Sequence, residues 1–465
     1  MLNESINAII DSGMKYLIAD LQKLIRQPSI SAKNEGMNDC ARLVAQLMEN
    51  AGLQTEVLTL DKQGDNKKKD IPPVVFGEVR SKAHPNSKTL LFYNHYDVQP
   101  VEPVELWKED PFSGKVKGGR IYGRGSTDDK GELITRVKAV EFLLKKYGDL
   151  PCNIKFVVEG EEEIGSVHIR KYLLKYKHKF ASDSVIWEFG YVDSNGRPII
   201  SLGMKGLLYV ELVAKGPLRD VHSSLAVLIE NPAWRLVQAL SSLRSKNGKI
   251  MIEDWYKEVQ QFTREELELV SNEPFDEQEF REQYGQEKFV NNILGNEIKK
   301  ALVGMPTCNI AGLISGYTGK GPKTILPSTA LAKLDFRLVP DMNPKTQFNR
   351  LKTHLERNGF GDLIEIGFIH GERPYRTPIG NPMLTLVKDS AAEAFGTNPI
   401  ISISSSGTGP MHSFATILSA PCVSVGSTYI FSRMHSPNEF ARIDLLNKAT
   451  KCMANIIERF GSVRK

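Results

Sequence analysis

Imidazole and carboxylate groups in this 465-residue chain gather at four places, and their position after apolar runs is what gives them chemical meaning. His95 and Asp97 close the run LLFYNHYDV (90–98). Glu161, Glu162 and Glu163 follow the apolar start of NIKFVVEGEEEIG (153–165), and Glu188 follows that of SVIWEFG (184–190). The fourth group, Thr127-Asp128-Asp129-Lys130, comes after the Gly-rich turn YGRGS. In an open α/β sheet, ligands bind beyond the carboxyl ends of the strands, so groups unloaded there converge. Converging carboxylates repel one another unless a multivalent cation neutralises them. Imidazole with carboxylate and no thiolate suits zinc, manganese or cobalt better than magnesium or calcium. Singly, each piece is ordinary: a His after a strand is commonly structural, a Glu triplet is commonly a solvated face, and Asp128 before a helix is a good N-cap. Their recurrence at successive strand ends carries the metal reading.

Competing chemistries lack their patterns. YGRGSTDDKG and GYTGKGPKT (316–324) have neither phosphate-binding Gly spacing. SSSGTGP (404–410) is not a G-x-S-x-G elbow, so a serine hydrolase is poorly supported.

The elements that must position these groups are legible as well. The three apolar runs read as strands, and ELITRVKAVEFLLKK (132–146) between the first two reads as a helix with the stripe Leu133, Val137, Val140 and Leu144. Apolar strands alternating with helices imply an α/β fold with a largely parallel sheet covered on both faces. After Gly206 the texture changes. LLYVELVAK and TALAKLDFRLVP (329–340) alternate like strands with one buried face, NPAWRLVQALSSLRS (231–245) reads as a helix begun at Asn231-Pro232, and 253–300 reads as solvated helices. Beyond PYRTPIGNP (374–382), a helix at 383–395 and a strand near 421–425 restore the α/β style. A smaller α+β unit, 207–374, is therefore expected as an insertion in a larger unit made of 1–206 and 375–465.

Composition sets the outer bounds. Lys plus Arg number 60 against 55 Asp plus Glu, a balance too even to argue for nucleic acid. No stretch reaches the roughly 20 apolar residues of a membrane span, and the N-terminus, which alternates apolar and charged residues, does not read as a signal peptide. Cys40, Cys152, Cys308, Cys422 and Cys452 are scattered and never CxxC. Free thiols in a reducing cytoplasm are expected, and a cysteine zinc site is not.

NHYDVQP (94–100), YGRGSTDDKGEL (122–133), EGEEEIGS (159–166) and MHSPNE (434–439) resemble the M20 metallopeptidases, and the likeness runs through KTILPSTALAKLDFRLVP (323–340). It is nearest to the dipeptidase branch that includes cytosolic nonspecific dipeptidase and carnosinase. The resemblance implies a di-zinc catalytic domain interrupted by a lid domain that dimerises. It further implies that His95 and Glu188 hold one metal, His435 and Glu163 the other, and that Asp128 bridges them, with a cis peptide joining Asp128 to Asp129. Asp97 would orient the His95 imidazole, and Glu162 would be the general base.

The same resemblance extends to substrate. RDVHSSL (219–225) is similar to the lid motif whose His, here His222, reaches the partner subunit's active site as an oxyanion donor. Arg337, with Thr324, Gly407 and Thr408, would read the substrate's carboxylate, a task suited to a planar guanidinium fork. Three departures stand out: Glu188 where dipeptidase relatives generally carry Asp, Ser404-Ser405-Ser406-Gly407-Thr408 where relatives often show Arg-Glu-Gly-Gly-Ser, and Ser-Ser after His222 where the family continues Ser-Gly. The expected activity is hydrolysis of dipeptides or short peptides with a free C-terminal carboxylate. Two divalent ions are expected, zinc first and manganese or cobalt as alternatives. The rival readings are an N-acyl-amino-acid deacylase on the same scaffold and a silent relative serving as a binding or dimerisation module.

Overall fold

The strand Thr89–His95 is apolar on both faces because it runs through the middle of a sheet, and the rest of the larger unit is built around it. The computed structural model describes residues 5–60 and 71–462. Contacts divide the chain into two units, one of Met1–Gly203, Arg376–Ile403 and Pro410–Lys465, the other of Met204–Tyr375 with Ser404–Gly409. The segment 404–409 thus clusters with the smaller unit, whereas the insertion expected from sequence texture spans 207–374 alone.

The larger unit contains an eight-stranded mixed sheet in the order Gln54–Leu58, Val74–Val79, Asn153–Glu159, Thr89–His95, Ser184–Trp187, Cys422–Ser424, Ile199–Ser201, Ile400–Ser402. Its centre is parallel: Thr89–His95 runs with Asn153–Glu159 on one side and Ser184–Trp187 on the other, and Cys422–Ser424 extends the run. Register sets His95 opposite Glu159 and Phe92 opposite Ile186, so the residues that follow all emerge at one edge. Leu90, Phe92, Ile154, Phe156 and Ile186 point into a core shared with the helices Ile6–Arg26, Lys130–Tyr147 and Ile443–Ser462. The alternate residues Tyr93 and Trp187 pack on Phe414 of the helix Met411–Leu418, with ring centroids 4.5 and 5.4 Å away. Both sheet faces are therefore covered, as parallel strands require.

One element is more deeply set than its apolar stripe implies. The helix Lys130–Tyr147 is buried all round from Lys130 to Leu143, including Glu132, Arg136, Lys138 and Glu141. It is packed by helices as well as by the sheet, and its charged groups find internal partners, with Glu132 Oε2 and Arg136 Nε left without a hydrogen bond among the described residues. Glu132 accepts from the Ser427 amide and the Ser427 and Thr428 hydroxyls, Arg136 donates to the Tyr93 and Trp187 carbonyls, and Lys138 meets Asp20 and Glu141. Buried charges persist only with such partners.

The smaller unit is an antiparallel sheet ordered Asn309–Ser315, Thr329–Leu338, Gly206–Lys215, Ile364–Glu372. Leu208, Val210, Leu334 and Phe336 face a core with residues of the helices Pro232–Leu243 and Pro344–Arg357, and the alternate residues form the other face. Asn231 caps the first of these helices, with Pro232 at its first position. The stretch 253–300 contains the helices Arg264–Asn272, Glu277–Tyr284 and Asn296–Gly304. Most of this stretch is exposed or half-buried, as its charge suggests, and it is anchored at its start by Trp255, fully buried with its ring centroid 4.8 Å from that of Phe336.

Candidate metal centre

At the carboxyl edge of the larger sheet, Asp128 lies between two imidazoles. Its Oδ1 is 3.2 Å from His95 Nε2 and its Oδ2 is 2.9 Å from His435 Nε2. Glu163 Oε2 is 3.2 Å from the same His435 nitrogen. Donor atoms of Asp128, Glu163 and His435 all lie within 4.8 Å of one another, close enough to share one ion. The Asp128–Asp129 peptide is cis. Asp129, not Asp128, occupies the N-cap position of the following helix, and it makes no side-chain cap there. Its Oδ2 instead accepts from Asn94 Nδ2 at 2.6 Å and from the His95 amide at 3.0 Å.

Asp97 holds two parts of the centre at once. His95 Nδ1 lies 3.1 Å from the Asp97 carbonyl and 3.3 Å from its Oδ1, which leaves Nε2 to face Asp128. The Asp97 carboxylate also accepts the amides of Glu162 and Glu163 at 3.2 and 3.0 Å. Gln99 Nε2 donates to Glu163 Oε2 at 2.9 Å. The short 3-10 turn Glu162–Ile164 is thereby fixed, and with it the direction of each glutamate.

The electrostatics are those of crowded acids. Burial, then the charge of Glu188, pushes the Glu162 carboxyl well above the usual range. Burial, then Asp128, raises Glu163. Burial also lifts Glu188, against the pull of His95 and with the push of Asp129 and Asp128. Asp128 goes the other way: burial is outweighed by hydrogen bonds with His435 and His95, which hold it well below the carboxylate range. The imidazoles answer in kind, burial being overcome by these acids so that His435 rises to about 10 and His95 rises strongly too. Glu188 Oε2 is buried with no hydrogen-bond partner among the described residues. That oxygen lies in the field of His95, Asp129 and Asp128, and a carboxylate oxygen left without a partner beside an imidazole suits a divalent cation. Among the described residues the donor atoms close enough to share one ion are those of Asp128, Glu163 and His435, and Asp128 also faces His95.

Buried acids next to the centre hold its parts in place, a role their types alone do not reveal. Glu439 is buried, paired with Arg124 Nη1 at 2.6 Å, and accepts the Thr127 and Asp128 amides, so it anchors the turn that carries Asp128. Glu159 is buried against the Tyr93 hydroxyl at 2.6 Å and the Ser166 hydroxyl at 3.0 Å. Glu161 is held by His168, whose Nδ1 is 2.9 Å from its carboxylate, whereas Glu162 and Glu163 lie in the field of Asp128 and His95.

The residues expected to read substrate all lie in the smaller unit. Arg337 Nη1 donates to Thr408 Oγ1 at 2.7 Å, and the Gly407 amide donates to Ser405 Oγ at 3.1 Å. His222 pairs with Ile325 across a short antiparallel bridge, and the Thr324 carbonyl accepts the Ser223 amide. His222 is exposed, with Nδ1 2.8 Å from Ser224 Oγ. The smaller unit therefore brings together Arg337 with Thr408, and His222 with Thr324.

Comparison with known proteins gives the family. The model of peptidase family M20/M25/M40 matches residues 91–459. The chain is 30% identical to the Beta-Ala-His dipeptidase of Mus musculus over 77% of this chain and 74% of that one. It is 28% identical to the Cys-Gly metallodipeptidase dug1 of Schizosaccharomyces pombe over 75% and 74%. Among solved structures, an M20 family metallo-carboxypeptidase, Sso-CP2 from Sulfolobus solfataricus, superposes with a TM-score of 0.89 at 40% identity, covering 96% of this chain and 99% of that one. Human carnosine dipeptidase 1 superposes with a TM-score of 0.84 at 26% identity, over 98% and 99%.

Proposed function

This chain belongs to peptidase family M20/M25/M40 and is a metal-dependent hydrolase, and from that premise we propose that it cleaves dipeptides and short peptides bearing a free C-terminal carboxylate. The observation that carries the reading is Asp128 set between His95 and His435, with Glu163 on one ion's side and Glu162 next to it in the chain. His95 and Glu188 would hold one divalent cation, His435 and Glu163 the other, and Asp128 both. Zinc is the first choice, with manganese or cobalt as alternatives. The chemistry such cations supply when bound is Lewis acidity toward the scissile carbonyl and toward water.

The rest is the work of side chains. Glu162 takes the proton of the attacking water and returns it to the leaving amine, a role favoured by a carboxyl whose proton affinity burial and the charge of Glu188 raise above the usual carboxylate range. Asp97 keeps the His95 tautomer and holds the Glu162–Glu163 turn. Arg337, with Thr324, Gly407 and Thr408, receives the substrate carboxylate. His222 of the partner subunit donates to the developing oxyanion in a homodimer formed through the smaller unit. The names of the relatives agree on the essential point: dipeptidases and a carboxypeptidase both act beside a free carboxyl terminus. Glu and Asp are both oxygen donors that bind zinc at about the same distance, so Glu188 is compatible with binding of two metals. Five free cysteines support a reducing compartment such as the cytoplasm, and no helix among the described residues is long and apolar enough to cross a membrane.

The deciding experiment incubates metal-loaded protein with dipeptides, tripeptides, their C-terminal amides and N-acetyl amino acids, and follows free amine. Free-carboxylate peptides should react, and amidation should cost about 2–5 kcal/mol of transition-state binding through loss of the Arg337 ion pair. Equal cleavage of amides refutes the Arg337 role, and turnover of N-acetyl amino acids alone makes the chain a deacylase.

A further inference from the structure

Lys205 is a buried lysine that the mechanism above does not use. It is 3% exposed, and its Nζ donates to the Met305 carbonyl at 2.6 Å. No carboxylate among the described residues pairs with it. Leu207 lies opposite Arg337 in the antiparallel pair, and Leu208 and Phe336 face the core, so Leu207 and Arg337 share the other face of the smaller sheet, and Lys205 immediately precedes the strand Gly206–Lys215 that carries Leu207. The segment 404–409 closes over the same spot. The Lys205 amide donates to the Ser405 and Gly407 carbonyls, and Arg337 donates to Thr408 Oγ1, which in turn donates to the Gly206 carbonyl. Arg337 likewise has no carboxylate partner among the described residues. Of the acids on this face, Asp335 is hydrogen-bonded by Asn309, and neither Asp335 nor Glu372 figures among the groups that shift Lys205.

Two cations held together without an anion are costly in a half-dry site, and a wall reading Ser404-Ser405-Ser406 adds no charge to offset them. A single terminal carboxylate is matched by the Arg337 fork alone, which leaves the ammonium over. We propose that Lys205 and Arg337 form a two-cation subsite for a residue carrying two carboxylates, so that peptides ending in Asp or Glu are the preferred substrates. This rests on the assignment of Arg337 to the substrate's terminal carboxylate. Lys205 would take the side-chain carboxylate as a specificity-determining residue. Burial, then the charge of Arg337, brings its own proton affinity down to about 8, which is the response of an ammonium lacking a counter-ion.

The test compares Ala-Glu with its neutral isostere Ala-Gln on the full-length, metal-loaded protein, alongside calorimetric binding of L-glutamate and L-glutamine. The wild type should favour Ala-Glu in kcat/KM, and glutamate in affinity, by about tenfold or more. Lys205→Met should collapse both ratios toward one, and Lys205→Arg should keep most of them. If Lys205 only ties down the Met305 carbonyl, Lys205→Met lowers both substrates alike and the ratio stays, which overturns the proposal. A wild type indifferent to the acid overturns it equally. Selective glutamate binding without cleavage of any peptide would leave the subsite standing and refute the peptidase reading instead.

Discussion

Glu162 and Glu163 are adjacent in the chain and opposite in duty. Asp97 accepts both of their amides, and the turn so fixed sends Glu163 to His435 and Gln99. Glu162→Gln should therefore retain the metals by elemental analysis while kcat falls about 10²–10⁴-fold, the usual worth of a general base. Metal loss with residual turnover would exchange the two roles. Glu159 sets a different test, because it lies behind the ligands and not among them. Burial, resisted by the Tyr93 hydrogen bond, raises its carboxyl from 4.5 to about 8. Between those values the folded chain keeps the proton and the unfolded chain releases it, so this group's contribution to stability declines as pH rises through the window and levels off above it. In urea denaturation at pH 5.5 and 8.5, Glu159→Gln should lose less stability on the upward step than the wild type does. A steeper loss in the variant would contradict the assigned shift.

The turn before the helix Lys130–Tyr147 is the element on which the centre depends. A Cβ on Gly131 would come within 2.2 Å of the Ser126 carbonyl, so the chain can fold back here only with glycine. The turn is then pinned from across the molecule by the buried Arg124–Glu439 pair, whose glutamate accepts the Thr127 and Asp128 amides. Removing one member of a buried pair strands the other, so Arg124→Met should destabilise by about 3–5 kcal/mol in chemical denaturation. The double variant Arg124→Met with Glu439→Leu should recover part of that stability yet bind metal more weakly than the wild type, because the two amides have lost their acceptor. Full metal affinity in the double variant would show that the turn holds Asp128 unaided.

At the scale of the whole molecule, the proposed homodimer makes a claim that no single subunit can satisfy. If His222 serves the partner subunit's centre, Glu162→Gln and His222→Ala are defective in complementary ways. Mixing the two after dissociation and reassociation should restore about a quarter of wild-type activity, since half of the dimers are mixed and each of these has one complete centre. No recovery, with mixed dimers demonstrated, would place the donor elsewhere. Chelation should lower the thermal midpoint, because ions bound only by the folded chain stabilise it by mass action, by about 2.7 kcal/mol at a hundredfold excess over Kd. An unchanged midpoint after complete metal removal would mean that the crowded acids need no cation.

Short-range pattern alone carried the strand ends. Thr89–His95 is apolar on both faces and Asn153–Glu159 has a continuous apolar run at 156–158, so their identity as inner strands, and the expected convergence of His95, Asp97, Glu162, Glu163 and Glu188, follow from residues a few positions apart. The Gly-rich turn likewise marked Asp128, and the family resemblance then supplied His435 and the roles. What tertiary structure decided was the pairing of groups far apart in the chain: Arg124 with Glu439 across 315 positions, the buried charges of the helix Lys130–Tyr147 with Asp20, Ser427 and Thr428, and Lys205 beside Arg337. It also gave Glu161 the partner His168, and buried Trp255 at the start of a stretch that reads as solvated. The physical reason is common to all of these. Periodicity records which side of an element meets apolar surroundings, but whether a buried charge finds its counter-charge depends on which distant segment the topology lays against it.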